Sequence, residues 1–257
     1  RVEADSSLTQ LLPGGLSHPG GITLLGNRLV VADFHAIRFF DKNTGEQTEI
    51  QRNVLGTGKM GGAINIEVDG KNLILVSWID NDVRVWDPIA KIVVEQYKDL
   101  GGPVAAIRFG ADIIATTRSE VLLLNDSGSR TLFSLPSPSG LALEGDDLYL
   151  TDRESGSIYK IGHNGKILEE PLLITTGLDA PEGLVVSKEG FTVIEARTGN
   201  VVSINAAGEK VVLAKISGGS VASSSVQPAS MIFNGITIDE EGILFMTGET
   251  SRILYKL

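Results

Sequence analysis

Gly140-Leu141-Ala142-Leu143-Glu144-Gly145-Asp146-Asp147-Leu148-Tyr149-Leu150-Thr151-Asp152 is the stretch that decides the fold. Two apolar runs of strand length flank a polar turn rich in Gly and Asp, which is the pattern of a β-hairpin. The pattern returns three times. Gly21-Ile22-Thr23-Leu24 leads through Gly26-Asn27 to Leu29-Val30-Val31-Ala32. Gly183-Leu184-Val185-Val186 leads through Lys188-Glu189-Gly190 to Phe191-Thr192-Val193-Ile194. Gly235-Ile236-Thr237-Ile238 leads through Glu240-Glu241-Gly242 to Ile243-Leu244-Phe245-Met246. In each copy about twelve residues separate the leading Gly from the residue closing the second run. The closing residues read Asp33, Asp152, Glu195 and Thr247. Weaker copies fill the intervals, from Ala63-Ile64-Asn65-Ile66 to Leu73-Ile74-Leu75-Val76 and from Ala105-Ala106-Ile107-Arg108-Phe109 to Ile113-Ile114-Ala115-Thr116. Six copies at roughly forty-residue spacing fall in the range of propeller blades.

Each copy carries two further runs. A third apolar run occupies Ile37–Phe40, Val83–Trp86, Val121–Leu124, Ile158–Ile161, Val201–Ile204 and Ile253–Tyr255. A more polar fourth follows, as in Thr48–Gln51, Ile92–Gln96 and Lys210–Ala214. The blade therefore reads as four antiparallel strands, A to D from the axis outward. The last copy stops at Leu257 with three strands, and a spare run, Leu8–Leu12, precedes the first. Pairing the spare run with the last blade closes the ring and removes the exposed edges of a broken one. No helical period competes. The expectation is an all-β, six-bladed β-propeller, one domain over residues 1–257, with the N-terminal strand completing the last blade.

Composition narrows the functional classes. Hydrophobic residues make up 42% and charged residues 21% of 257, which is globular composition. The net charge of -10 repels phosphate backbones, so nucleic acid is not an expected partner. With no cysteine there are no disulfides or thiolate metal sites. No apolar run approaches the ~20 residues that span a bilayer. The chain starts at Arg1 rather than Met. A cleaved signal peptide is one explanation, which implies a secreted or periplasmic protein, and a trimmed end is another.

Pro19-Gly20-Gly21-Ile22, Ala32-Asp33-Phe34-His35-Ala36-Ile37 and Phe40-Asp41 resemble an NHL repeat, as do Leu150-Thr151-Asp152 and Ile158-Tyr159-Lys160-Ile161. The wider superfamily includes the senescence marker protein/gluconolactonase group, the paraoxonases and the strictosidine synthase-like proteins. The resemblance covers nearly the whole chain and is specific for fold, because such propellers host binding modules and enzymes alike.

Antiparallel topology says where a site belongs. The D-to-A connections and the B-to-C turns share one face, which gathers the candidate ligand-binding residues His35, Trp78, Asp80, Arg118, Asp152, Arg153, Glu195 and Arg197. Two long loops, 56–62 and 217–230, open on the same face. The second reads either as a lid over the axis or as a solvated connector. In the gluconolactonase and paraoxonase enzymes, the resemblance implies, a divalent metal sits on the axis among oxygen ligands just before the Gly of strand A. Such ligation suits calcium, which can polarise a lactone or ester carbonyl. The matching positions are Gly20, Gly62, Val104, Ser139, Glu182 and Asn234, of which Glu182 and Asn234 carry suitable groups. The bland reading is that both cap backbone groups at axial strand ends. Asp33 and Asp152 match the NHL Asp that accepts hydrogen bonds from turn amides.

Other motifs fall away. His18 and His35 could meet but have no third zinc ligand. Gly58-Lys59-Met60 lacks the Ser or Thr of a phosphate loop, and there is no Gly-x-Ser-x-Gly elbow. Two functions stand. One is a binding propeller that takes a small molecule or protein on the site face. The other is a calcium-dependent lactonase- or esterase-type hydrolase.

Overall fold

A computed structural model describes residues 7–12, 14–52, 62–216 and 234–257. The loop 56–62, except for Gly62, and the segment 217–230 lie outside the described residues. The strands form six four-stranded antiparallel sheets. The fourth sheet shows the plan, with strands Pro138–Glu144, Asp147–Asp152, Ser157–His163 and Lys166–Thr175 laid down in chain order. The first, second, third and fifth blades repeat it, with A strands Pro19–Leu25, Ala63–Asp69, Ala105–Phe109 and Pro181–Ser187. The sixth blade is built from Ile236–Ile238, Leu244–Gly248 and Ile253–Lys256, and Thr9–Leu12 supplies its outer strand. Thr9 pairs with Lys256 and Gln10 with Tyr255. The ring is thus closed by hydrogen bonds between sequence ends, as the three-strand remainder predicts.

Alternation along each strand distributes the core. Successive side chains point to opposite faces, and both faces of a blade meet a neighbour. The buried residues accordingly fall into six clusters, one per seam between blades. Val30, Ala32 and Phe39 of the first blade, for instance, pack on Leu73, Leu75 and Trp86 of the second. At the closing seam Ile22, Val31 and Phe40 meet Phe245 and Leu254.

The glycine that opens most A strands has a steric reason. A Cβ on Gly140 would lie 2.2 Å from the Glu182 carbonyl oxygen of the next blade. On Gly21 it would lie 2.6 Å from the Ile66 nitrogen, and on Gly235 2.8 Å from the Gly20 oxygen and the Gly21 Cα. Inner strands touch backbone to backbone at these points, so only glycine fits.

Beside the glycines sits a repeated hydroxyl latch. Thr151 Oγ1 accepts from its own blade's Gly140 N–H (2.9 Å) and donates to Glu182 C=O of the next blade (2.9 Å). Thr116 relates in the same way to Ala105 N (3.1 Å) and Ser139 C=O (2.8 Å). Thr247 accepts from Gly235 N (2.8 Å) and donates to Gly20 C=O, which ties the last blade to the first. This register corrects one alignment made from sequence. Ile236 pairs with Met246 as Leu141 pairs with Leu150, so Thr247 corresponds to Thr151, and Gly248 to the closing Asp152.

Candidate functional site

The D-to-A connections and B-to-C turns do share a face, and their contacts show how it is built. Asp33, wholly buried, accepts from Ser17 N and His18 N (both 2.7 Å) and from Arg38 Nε (2.6 Å). Asp152 accepts from Ser137 N (3.0 Å) and Ser155 N (2.8 Å). Glu195 accepts from Asp179 N (3.0 Å), Thr198 Oγ1 (3.1 Å) and Asn200 Nδ2 (3.2 Å). Each carboxylate ties the connection entering strand A to the turn leaving strand B of the same blade. These groups frame the face, and their oxygens are committed to it.

The axis is a narrow channel of about 40 Å³, lined by A strands of all six blades. Glu182 and Asn234 stand at its site-face end, both almost completely buried. Glu182 Oε2 accepts from Asn234 N (2.9 Å) and Asn234 Nδ2 (2.7 Å). Its Oε1 lies 3.0 Å from Arg153 Nη2. Asn234 Oδ1 accepts from Glu249 N at 3.0 Å. Glu182 therefore bridges three blades: its own, the fourth through Arg153 and the sixth through Asn234. Burial pushes its carboxyl above the usual range, and the Arg153 charge pulls it back.

This geometry tests a divalent cation directly. Glu182 Oε2 is taken by two Asn234 donors, Oε1 makes no hydrogen bond and is paired by charge with Arg153, and the amide oxygen of Asn234 receives a backbone N–H. The group facing Glu182 is itself a cation. Among the described residues no cluster of three His, Asp or Glu groups is arranged to hold a metal. As placed, the donor set does not fit calcium, which takes 6–8 oxygens.

Two further groupings occupy the face. Arg118 stacks its guanidinium 4.5 Å above the Trp78 ring across the seam between the second and third blades. Asp80, next to that ring, pairs with the buried Arg84 (3.2 Å), which also binds Asp82. On the first blade His35 and His18 do not meet. Phe34 lies between them, its centroid 4.7 Å from His35 and 5.9 Å from His18. Phe34 holds φ at 42°, a conformation bulky side chains rarely adopt, in the two-residue turn between paired Asp33 and Ala36. Arg197, largely exposed, reaches Asp179 at 3.0 Å and stays at the rim.

Sequence reasoning missed Glu67, on the channel wall of the second blade. Its Oε1 accepts from Thr23 Oγ1 of the first blade and from Val68 N, both at 2.8 Å. Burial raises its carboxyl, and these hydrogen bonds oppose the rise. The available signal was a glutamate inside the inner strand Ala63–Asp69, between Ile66 and Val68.

Comparison with known proteins places the architecture. No protein-family model and no curated protein matches the sequence. Solved structures match over nearly the full length. Streptogramin B lyase shares 16% identity at a TM-score of 0.65, covering 97% of this chain and 96% of that one. A calcium-binding regucalcin from Agrobacterium tumefaciens shares 11% at 0.68, covering 96% and 92%. Luciferin-regenerating enzyme shares 11% at 0.68, covering 97% and 94%. At such identities the likeness is one of fold. Among the described residues no helix is long and apolar enough to cross a membrane.

Proposed function

We propose that this protein is a small-molecule enzyme of the lactonase- or lyase-like propeller kind, its substrate entering at the site face above Glu182. One observation carries the reading. A buried carboxylate, shared by three blades and balanced by Arg153, stands where the axial channel opens onto that face. Two of the full-length structural matches are enzymes by name, which supports catalysis over a generic NHL-type interaction module. The NHL-like closing carboxylates Asp33 and Asp152 are used up in tying connections to turns, so they support blade building and no partner class. Arg118, on the Trp78 shelf, is a cationic group suited to an anionic or carbonyl-bearing substrate.

The competing reading, a binding propeller without catalysis, is favoured by the ties that hold Glu182 in place, two Asn234 donors on Oε2 and the Arg153 charge beside Oε1. A panel of lactones, esters and carboxylate-bearing small molecules tests both, scored for turnover and for thermal stabilisation. Turnover lost in Glu182→Gln and Arg153→Gln supports the enzyme. Stabilisation by a panel member without turnover, weakened by Arg118→Ala or Trp78→Ala, supports the binder and overturns the enzyme.

A further inference from the structure

We propose that the outer strand of the fourth blade pairs antiparallel with the same strand of a second copy of this chain, joining two propellers edge to edge through Leu172–Thr175. The strand Lys166–Thr175 has no neighbour beyond it in its sheet. Leu172, Leu173 and Ile174 are 55%, 53% and 39% exposed. Successive residues of a strand point to opposite faces, so a surface laid against one face covers only every second one of them. A strand added along the free edge gives each of them a cross-strand neighbour and also takes up unpaired backbone groups. Other edges of the ring are guarded in the ways that keep sheets apart. Gln47–Arg52 and Gly128–Ser134 are largely polar, and lysines bracket the fifth blade's outer strand, Lys210–Lys215. The fourth blade's outer strand is itself bulged between Ile167 and Leu172 and carries Pro171 there, which offers no N–H to a new strand. Beyond that point Leu172-Leu173-Ile174-Thr175 has neither charge nor proline.

Charge selects a second copy as the occupant. Glu169 and Glu170, just before the apolar run, are exposed and form no ion pair among the described residues. At the other end of the run Lys210 Nζ donates to Thr176 C=O, which sets the start of the fifth blade's outer strand beside the end of the fourth's. Lys210 is exposed and has no carboxylate partner among the described residues. The run thus has two unpaired acids at one end and an unpaired cation at the other. A twofold axis through Leu173 sets Leu172 against Ile174 of the second copy and Thr176 against its Glu170. Lys210 of each copy then meets Glu170 of the other. An isologous contact of this kind closes at two copies. Ile92, Val93 and Val94 of the second blade are exposed as well. There, however, Glu95 is already held by Arg108 at 2.8 Å, so that edge brings no unpaired carboxylate to a copy of itself. Outer strands lie farthest from the axis, so the pairing leaves the site face open and does not depend on the proposed activity.

The test is sedimentation velocity and light scattering of the whole chain across a concentration series. Wild type is expected to pass from monomer to dimer with a Kd of about 10 µM, as suits a small edge contact. Leu173→Lys sets like charges against each other on the twofold axis and is expected to weaken the dimer by about 30-fold or more, while the monomer keeps the wild-type Tm. Glu170→Lys and Lys210→Glu are each expected to weaken it about fivefold at low salt, and the two together to restore association to within about twofold of wild type. Val93→Lys, on the edge of the second blade, is expected to leave association unchanged. A wild type that stays monomeric up to about 1 mM overturns the inference. A dimer that Leu173→Lys leaves intact, or that Val93→Lys disrupts, overturns it equally. So do single charge reversals that lose nothing, or a double reversal that fails to regain what they lose.

Discussion

Replacing Thr151 by Val removes one hydroxyl from a position with no solvent exposure and leaves the side-chain volume nearly unchanged. No cavity forms, so the loss isolates hydrogen bonding. Two groups are stranded: Gly140 N–H, which donates to Thr151 Oγ1, and Glu182 C=O, which accepts from it. A buried polar group left without its partner costs about 1–3 kcal/mol. Ser139 Oγ, 2.9 Å from the same hydroxyl, keeps Pro181 C=O as its acceptor at 3.0 Å, and the two stranded groups together cost about 3 kcal/mol. At about 2–4 °C per kcal/mol for a chain of this size, Tm should fall by about 6–12 °C. Urea unfolding and differential scanning calorimetry measure it. The control is Thr131→Val, whose hydroxyl bonds Glu120 at an exposed site and should stay within about 0.5 kcal/mol of wild type. If Thr151→Val is as mild as the control, the latch holds nothing and the seam rests on apolar packing alone.

Three other expectations follow from the same architecture. Gly183→Ala places a Cβ 2.8 Å from Ile236 Cγ2 and 2.9 Å from the Asn234 oxygen, and should lower stability by about 1–3 kcal/mol, whereas an unchanged urea midpoint would mean that the axis yields freely. Deleting residues through Leu12 exposes the edge of Ile253–Lys256 and should cost several kcal/mol and promote association, as read by unfolding and light scattering. The Asp87 and Asp147 carboxyls are held down to about 2, chiefly by hydrogen bonds from Lys71 and Lys160 respectively. Because their folded values lie below the unfolded ones, their stabilisation is present above about pH 4 and is lost as pH falls toward 2. Urea midpoints between pH 5 and 2 should therefore fall less steeply in Asp87→Asn and Asp147→Asn, and equal slopes would refute the pairing.

The hairpin pattern made the blades legible, because alternation within a strand pair is a local property. Thr9–Leu12 could be assigned to the last blade because its partner strands stood one short. What stayed hidden depends on axial register between blades. Thr247 reads as a closing residue by counting from Gly235, yet the turn between paired Ile238 and Leu244 is one residue longer than that between Leu143 and Leu148, which shifts it one place, to the position of Thr151. Arg153 reads from the sequence only as a ligand-binding candidate of the site face. Its pairing with Glu182 depends on the distance between two blades, which tight glycine contacts set and no periodicity encodes. Glu182 and Asn234 could be brought together by blade counting, but whether oxygen or nitrogen faced oxygen could not.

Because one carboxylate fastens the fifth blade to both of its neighbours, site occupancy and ring stiffness draw on the same atoms. A guest that recruits Glu182 must loosen its tie to Arg153 on one side or to Asn234 on the other. Tight binding of that kind would show as faster amide exchange along the flanking seams, at Pro138–Glu144 and Ile236–Ile238. A guest held only by the Trp78–Arg118 shelf would leave them unchanged. The ring thus reports which of its two face groupings is in use.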